Sequence, residues 1–190
     1  LEWLPPVLES GHRNFRPVDV RIGPDGALYI ADFYNPIICH QDDYFRDPTR
    51  DFHHGRIWRL TAKDTAALPI PKVVSTKTKD LLELLKSPER WTRQKAKDEL
   101  AQRPVKPTAE AIVQWATQLN AKDPRHDHHL LEALAACAKM ESVQPALLDR
   151  VLRAKDHRAR AFAARIAGRW DDRLHNVHAY LARAANDEHP

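Results

Sequence analysis

Apolar and polar residues alternate with a period of two along the first third of the chain. This alternation is typical of β-strands that expose one face. Three such runs predict three strands, at residues 18–22, 27–31 and 55–60. The tetrapeptide Gly23-Pro24-Asp25-Gly26 between the first two runs predicts a tight turn. The N-terminal region is therefore predicted to be an antiparallel sheet.

The pattern changes after residue 62. Residues 63–78 contain prolines among apolar residues, which predicts an extended linker or an outermost strand of the sheet. From residue 79 onward the apolar positions follow a helical period. Helix boundaries are predicted from Ser87-Pro88, Pro104, residues 122–124, Pro145 and an Asp156 cap. Residues 79–190 are thus predicted to form helix pairs that recur roughly every thirty to forty residues.

One internal similarity supports a repeat. When residues 84–96 are aligned with residues 151–163, Arg93 falls on Arg160 and Ala96 falls on Ala163. The second helix resembles that of HEAT-type repeats, in which an arginine and small residues recur. The alternative interpretation is an ordinary irregular α-helical bundle.

The three strands and the polar loop before the third resemble most of one β-propeller blade. The segment is similar to the last blade of the large planctomycete-type membrane-bound dehydrogenase family, whose propellers are related to glucose and sorbosone dehydrogenases. The matching residues are FRPVD at 15–19, GPDG at 23–26, ADFYNPII at 31–38, His40, Arg46-Asp47, Arg50-Asp51 and HHGRIWR at 53–59.

This resemblance implies a multidomain α+β fragment. Residues 1–62 would be a C-terminal blade of an incomplete propeller, and residues 79–190 a HEAT-like α-helical solenoid. A propeller needs about four to eight blades, so the chain is expected to be part of a longer protein. The resemblance further implies a periplasmic or exported protein that oxidises a sugar or alcohol and passes on electrons. Its partners would be the remaining blades and a cytochrome domain, and its cofactors quinone, calcium or c-type haem.

The polar loop before the third strand carries the candidate ligand or ion site. Its members share oxygen or imidazole donors: Asp32, Asn35, His40, Asp47, Asp51 and His53. Calcium would prefer the oxygens and a transition metal the imidazoles. The alternative is structural, with the carboxylates capping turns and pairing with arginines of the loop. Neither a calcium-loop spacing nor a His-Glu-x-x-His motif occurs, so no firm metal site is predicted.

The net charge of +4 comes entirely from residues 79–190, which contain twenty Lys/Arg and sixteen Asp/Glu. Arg158, Arg165 and Arg169 would share one side of a helix and form a basic face for phosphate or an acidic protein partner. The alternative is a solvated outer face. The small excess of charge and the lack of an aromatic platform argue against nucleic-acid binding.

Signatures of catalysis are missing from the chain. It contains no nucleotide-binding glycine motif, no Gly-x-Ser-x-Gly and no Cys-x-x-Cys-His for haem attachment. No transmembrane segment is predicted. The fragment alone is therefore not expected to be catalytic, and no cofactor is assigned to it. A non-catalytic solenoid for protein interaction and a structural spacer remain the alternative functions.

Overall fold

The protein has an α+β fold with two compact units. The structure is a computed structural model that describes residues 4–37 and 47–189. The units are Leu1–Ile70, termed the sheet unit, and Pro71–Pro190, termed the helical unit. A three-stranded antiparallel sheet precedes seven α-helices in the described part of the chain.

The sheet unit contains the three predicted strands. They are β1 (Pro17–Ile22), β2 (Leu28–Asp32) and β3 (Arg56–Leu60), in the order β1-β2-β3. The predicted turn between β1 and β2 closes through a 3.2 Å hydrogen bond from Gly26 N to Gly23 O. Gly26 has a φ of 77°, and a β-carbon there would lie 2.9 Å from Leu68. The positive φ therefore favours glycine at this position.

The strand register separates an apolar face from a polar one. Val20 pairs with Ile30, and Ile30 pairs with Trp58. Directly paired residues point to the same side of a sheet, so these three side chains share a face. Ile30 is buried at 8% exposure, but Val18, Val20 and Ile22 of β1 are 58%, 54% and 56% exposed. The β1 end of this face is therefore uncovered by the described residues.

The helices of the helical unit follow a segment, residues 61–77, that contains no helix or strand. Its helices are α1 (Thr78–Leu84), α2 (Arg90–Ala101), α3 (Val105–Thr117), α4 (His126–Lys139), α5 (Pro145–Leu152), α6 (His157–Arg169) and α7 (Val177–Ala185). A short 3₁₀ turn spans Asp171–Arg173. In the described ranges no helix has the length and apolar character needed to cross a membrane.

Helices pack in successive pairs. α1 contacts α2, α3 contacts α4, and α5 contacts α6, while α7 contacts both members of the last pair. The second helices of the pairs form a row, in which α4 contacts both α2 and α6. Among the first helices, α1 contacts α3. Fully buried side chains fill the space between the helices: Leu81, Leu85, Leu100, Ile112, Leu134, Leu148, Val151 and Trp170.

Most helix boundaries agree with the sequence prediction, and one does not. Pro145 opens α5, and the Asp156 carboxylate caps α6 by accepting from Arg158 N at 2.9 Å. Ser87-Pro88 was predicted to start a helix, but α2 begins at Arg90. The Ser87 hydroxyl instead accepts from Glu89 N at 3.1 Å. This local turn keeps the backbone out of the helical conformation until residue 90.

The arginine of the predicted repeat occupies the same position in two helices. Arg93 is the fourth residue of α2, and its Nη1 donates to the carbonyls of Ser87 and Pro88 at 2.9 and 2.7 Å. Arg160 is the fourth residue of α6, and its Nη1 donates to the carbonyls of Ala154 and Lys155 at 3.0 and 2.9 Å. The predicted alignment of the two segments is therefore matched by equivalent contacts.

The middle helix of the row, α4, differs from its neighbours. Its fourth residue is His129, which is buried at 3% exposure, and the His129 Nε2 atom has no hydrogen-bond partner. Its seventh residue is Glu132, also buried, whereas α2 has Ala96 at the seventh position. Glu132 binds Arg93 Nε at 2.8 Å and Lys97 Nζ at 2.6 Å. A buried ion-pair cluster thus joins α2 to α4.

Candidate functional site

Asp32 is the centre of the candidate site in the sheet unit. It is the last residue of β2 and is buried at 3% exposure. Its Oδ1 accepts from the backbone N–H groups of Arg16 at 2.8 Å and Tyr34 at 2.9 Å. Its Oδ2 accepts from Trp58 Nε1 at 3.0 Å. The carboxylate therefore ties together the chain before β1, the chain after β2 and the side chain of β3.

These contacts explain the charge state of Asp32. Burial alone would raise the pKa of this carboxyl group, because a buried charge loses its hydration. The hydrogen bonds from Arg16, Trp58 and Tyr34 outweigh burial and hold the pKa below its ordinary value. Asp32 is therefore ionised at neutral pH, and its contacts are with groups of its own fold.

Asn35 and Asp51 bridge the two described ends of the rim loop, defined as residues 33–54. Asn35 is buried at 3% exposure, and its Nδ2 donates to the Asp51 carbonyl at 3.5 Å. The Asp51 carboxylate accepts from the backbone N–H groups of His53 at 2.9 Å and His54 at 3.0 Å. It also contacts His54 Nδ1 at 2.8 Å. The His53 N–H bond is the main reason that the pKa of Asp51 is lowered.

Of the remaining predicted residues, Asp47 lies outside this network and His53 joins it only through its backbone. Asp47 Oδ1 accepts from Thr49 Oγ1 at 2.6 Å and Thr49 N at 2.8 Å, and the hydroxyl bond lowers the pKa of Asp47. His53 is exposed and contributes its backbone N–H to Asp51. His40 lies outside the described residues. The structure thus brings Asn35 and Asp51 together, places Asp32 at the end of β2 with other partners, and holds Asp47 in a separate local turn.

An aromatic and cationic cluster, not anticipated from the sequence, lies beside Asp32. Tyr34 has a φ of 50°, which is uncommon for a residue with a side chain. The Arg56 guanidinium carbon lies 3.7 Å from the centroid of the Tyr34 ring. The His12 ring stacks on Tyr34 with centroids 5.6 Å apart. The sequence carries no motif for this cluster, because it depends on how residue 12 and β3 approach the end of β2.

The described part of the rim loop is organised for hydrogen bonding within the fold. No group of three or more His, Cys, Asp or Glu side chains within residues 4–37 and 47–189 is placed to hold a metal ion. The carboxylates of Asp32, Asp47 and Asp51 each accept hydrogen bonds from protein donors. Within the described residues, these carboxylates therefore act as hydrogen-bond acceptors for groups of their own fold.

The three arginines that were predicted to form a basic face all lie on α6. Arg158, Arg165 and Arg169 are all exposed. Arg169 forms an ion pair with Glu141, and the Arg165 guanidinium lies 5.2 Å from the Phe162 ring centroid. Arg165 and Arg169 line one groove together, and Arg158 lines another, near the start of α6.

That groove, termed the basic groove, lies between the loops that precede α4 and α6 and has a volume of about 1340 Å³. Its basic residues are Arg93, Lys122, Arg125, Arg150, Arg153, Lys155 and Arg158, together with His126 and His128. Its acidic residues are Asp123, Asp127 and Asp156. Of these residues, the sequence predicted only Arg158 as part of a binding face. Folding brings Arg158 next to residues 121–128, which are distant from it in the sequence.

Comparison with known proteins gives one match. A family model described as "Domain of unknown function (DUF7133)" matches residues 6–64. This segment contains the three strands and the rim loop, and the helices lie outside it. No curated protein and no solved structure matches the chain.

Proposed function

We propose that this chain supplies the closing blade of a β-propeller and a HEAT-like stack of helix pairs to a dehydrogenase-like protein. In this proposal the chain is a scaffold, and the chemistry takes place on other parts of the full-length protein. The observation that carries the proposal is the uncovered apolar face of β1.

A blade explains that face. Val18, Val20 and Ile22 are each more than half exposed, although they continue an apolar face that is buried at Ile30. Apolar residues contiguous along an edge strand usually mark an interaction surface. In a propeller, each blade buries its faces against neighbouring blades. A neighbouring blade would therefore cover the residues that the described part of this chain leaves exposed.

The helical unit supports a HEAT-like stack. Stacked repeats place second helices next to one another, as α2, α4 and α6 are here. Arg93 and Arg160 make equivalent contacts at the fourth position of α2 and α6. A recurring arginine with a recurring role is what duplicated helix pairs would retain.

The activity is proposed from the resemblance of residues 15–60 to the planctomycete-type membrane-bound dehydrogenases. It is oxidation of a sugar or alcohol linked to electron transfer, in a periplasmic or exported protein. Quinone, calcium or c-type haem would be held by parts of the full-length protein other than the described rim loop. The carboxylates described here hold the loop, so they are not assigned to catalysis.

The proposal is tested on the protein encoded by the complete reading frame. We expect dye-linked oxidation of a sugar or alcohol, and we expect Val20→Arg to abolish it by preventing closure of the propeller. Val105→Arg is the matched control, because Val105 on α3 is 47% exposed. Equal activity of the two variants, or a reading frame without further blades, would contradict the proposal.

A second candidate function is a non-catalytic solenoid that binds another protein. A structural spacer, which binds no partner, is the other non-catalytic alternative. The basic groove favours the interaction role, because a spacer does not require a concave charged surface. A complete protein that oxidises no substrate but binds a partner through the helical unit would favour this candidate.

A further inference from the structure

We infer that the basic groove of the helical unit binds an extended, acidic peptide segment of a partner protein. The inference specifies the partner chemistry for the interaction role proposed above and rests on that role. It does not depend on the sheet unit or on any propeller.

The first argument is the excess of unpaired positive charge. Five cations of the groove form no ion pair within the described ranges: Lys122, Arg125, Arg150, Lys155 and Arg158. Two of them are held in place by backbone carbonyls. Arg125 Nη2 donates to Ser87 O at 3.3 Å, and Arg150 Nη2 donates to Ala116 O at 3.3 Å. These guanidinium groups are therefore positioned before any ligand arrives, which lowers the entropic cost of binding.

The second argument concerns the acidic residues of the groove. Each one accepts a hydrogen bond from a backbone N–H group of the loops. Asp123 accepts from Arg125 N at 2.7 Å, and Asp127 accepts from Asp156 N at 3.0 Å. Asp156 accepts from Arg158 N at 2.9 Å. The acidic groups thus hold the loops in shape and leave the five cations available to a negatively charged ligand.

The third argument is the size and lining of the groove. Its volume of about 1340 Å³ exceeds the roughly 300–1,000 Å³ of typical small-molecule pockets. No Phe, Tyr or Trp lines it, although nucleic-acid strands usually stack their bases on such side chains. Several carboxylates spaced along an extended peptide match cations distributed over α5, α6 and the loops before α4 and α6. Arginine also pairs well with carboxylates. A peptide segment therefore fits better than an ion, a small ligand or a nucleic acid.

The test measures binding of a fluorescent glutamate-rich peptide to the intact chain by anisotropy. A peptide of equal length with glutamine in place of glutamate serves as the neutral probe. We expect the acidic peptide alone to bind, with an affinity that falls as salt screens the charges. Lys155→Glu combined with Arg158→Glu should weaken binding by about tenfold or more. Both positions flank the start of α6, where acidic side chains favour the helix, so folding should be retained.

The matched control is Lys79→Glu combined with Lys106→Glu. Both residues are exposed, lie outside the basic groove and give the same change in charge. We expect this variant to bind within about twofold of the wild type. Equal weakening in both variants would show a response to overall charge and would overturn the inference. So would a failure of the acidic peptide to bind, or tighter binding of a single-stranded oligonucleotide that the groove variant loses. None of these outcomes bears on whether the sheet unit completes a propeller.

Discussion

Arg160 makes in α6 the hydrogen bonds that Arg93 makes in α2, two helix pairs earlier. Each guanidinium donates to two carbonyls of the preceding loop through Nη1 and to a carboxylate through Nε. The carboxylate is Glu132 for Arg93 and Asp187 for Arg160. Both arginines therefore fix the turn between the two helices of a pair and join that pair to a later segment of the chain.

Removing the charge of Glu132 should strongly destabilise the helical unit. Glu132→Gln would leave the cations of Arg93 and Lys97, whose side chains are each 13% exposed, without their counterion. Loss of one partner from a buried ion pair costs about 3–5 kcal/mol. Urea unfolding followed by circular dichroism in the far ultraviolet measures the change.

Asp149→Asn provides the matched control for Glu132→Gln. Asp149 pairs with Arg153, whose side chain is 61% exposed, and solvent screens such pairs. We expect a much smaller loss of stability than for Glu132→Gln. If the two variants unfold at the same urea concentration, the buried cluster does not contribute as described.

The helical unit should lose stability as the pH falls below neutrality because of His129. Burial lowers the pKa of His129 below its ordinary value of 6.5, and the partial opposition of Asp123 does not reverse this. Arg125, His128 and Lys86 also disfavour its protonation. Unfolded chains therefore take up a proton below pH 6.5 that the folded state binds less readily. The stabilisation is complete above that pH and is lost as the pH falls toward the folded-state pKa.

The measurement compares the free energy of unfolding at about pH 7.5 and about pH 5. His129→Leu should reduce the difference between the two values, because the variant has no imidazole to protonate. Leucine at the exposed His178 is the matched control and should keep the wild-type difference. A pH dependence unchanged by His129→Leu would show that other groups cause it. Burial raises the pKa of Glu132, but Lys97 and Arg93 together hold it below its ordinary value. Protonation of Glu132 should therefore reduce the stability only at a more acidic pH.

Asp32 should be essential for the order of the sheet unit. Asp32→Ala would leave the N–H groups of Arg16, Tyr34 and Trp58 without their acceptor, at a cost of about 1–3 kcal/mol for each buried group. Faster amide hydrogen exchange in β1, β2 and β3 would report the loss. Asp47→Ala removes a local contact with Thr49 and should leave exchange in the strands unchanged. Unaltered strand protection in Asp32→Ala would refute the structural role.

Cys137 should react with thiol reagents only when the helical unit opens. Its side chain is fully buried in α4, and burial raises the pKa of the thiol to about 12. The reactive thiolate is therefore scarce and inaccessible in the folded state. In a Cys39→Ser background, labelling should be slow for the wild type and faster for Glu132→Gln. Rapid labelling of folded wild-type protein would contradict the observed packing of α4.

The strands and helices were largely predictable because they follow local rules. Alternation identified all three strands, and proline or aspartate marked the starts of α5 and α6. The start of α2 was predicted wrongly, because the competing turn at Ser87 is a matter of geometry rather than composition. The equivalence of Arg93 and Arg160 was visible in the sequence because both the residue and its spacing recur.

The sites were less predictable because they depend on contacts between distant residues. Asp32 was predicted as a candidate site residue from its place at the end of a strand, but its donors Arg16 and Trp58 are set by the register of the strands. The basic groove joins Lys122 to Arg158 through the packing of α4 against α6, which no local pattern encodes. Charge on one helix predicted a face, whereas charge on neighbouring loops formed the groove.

The fourth residue is an arginine in α2 and α6 but His129 in α4, and this difference constrains the order of the helix pairs. Arg93 of α2 is neutralised by Glu132, the seventh residue of the next helix in the row, α4. After α4, which has His129 in place of an arginine, the seventh residue of the next helix, α6, is Ala163. Duplicating the first pair would place Arg93 opposite Ala96, where the neighbouring helix offers no carboxylate. The buried ion pair between Arg93 and Glu132 therefore constrains which helix pair can follow the first.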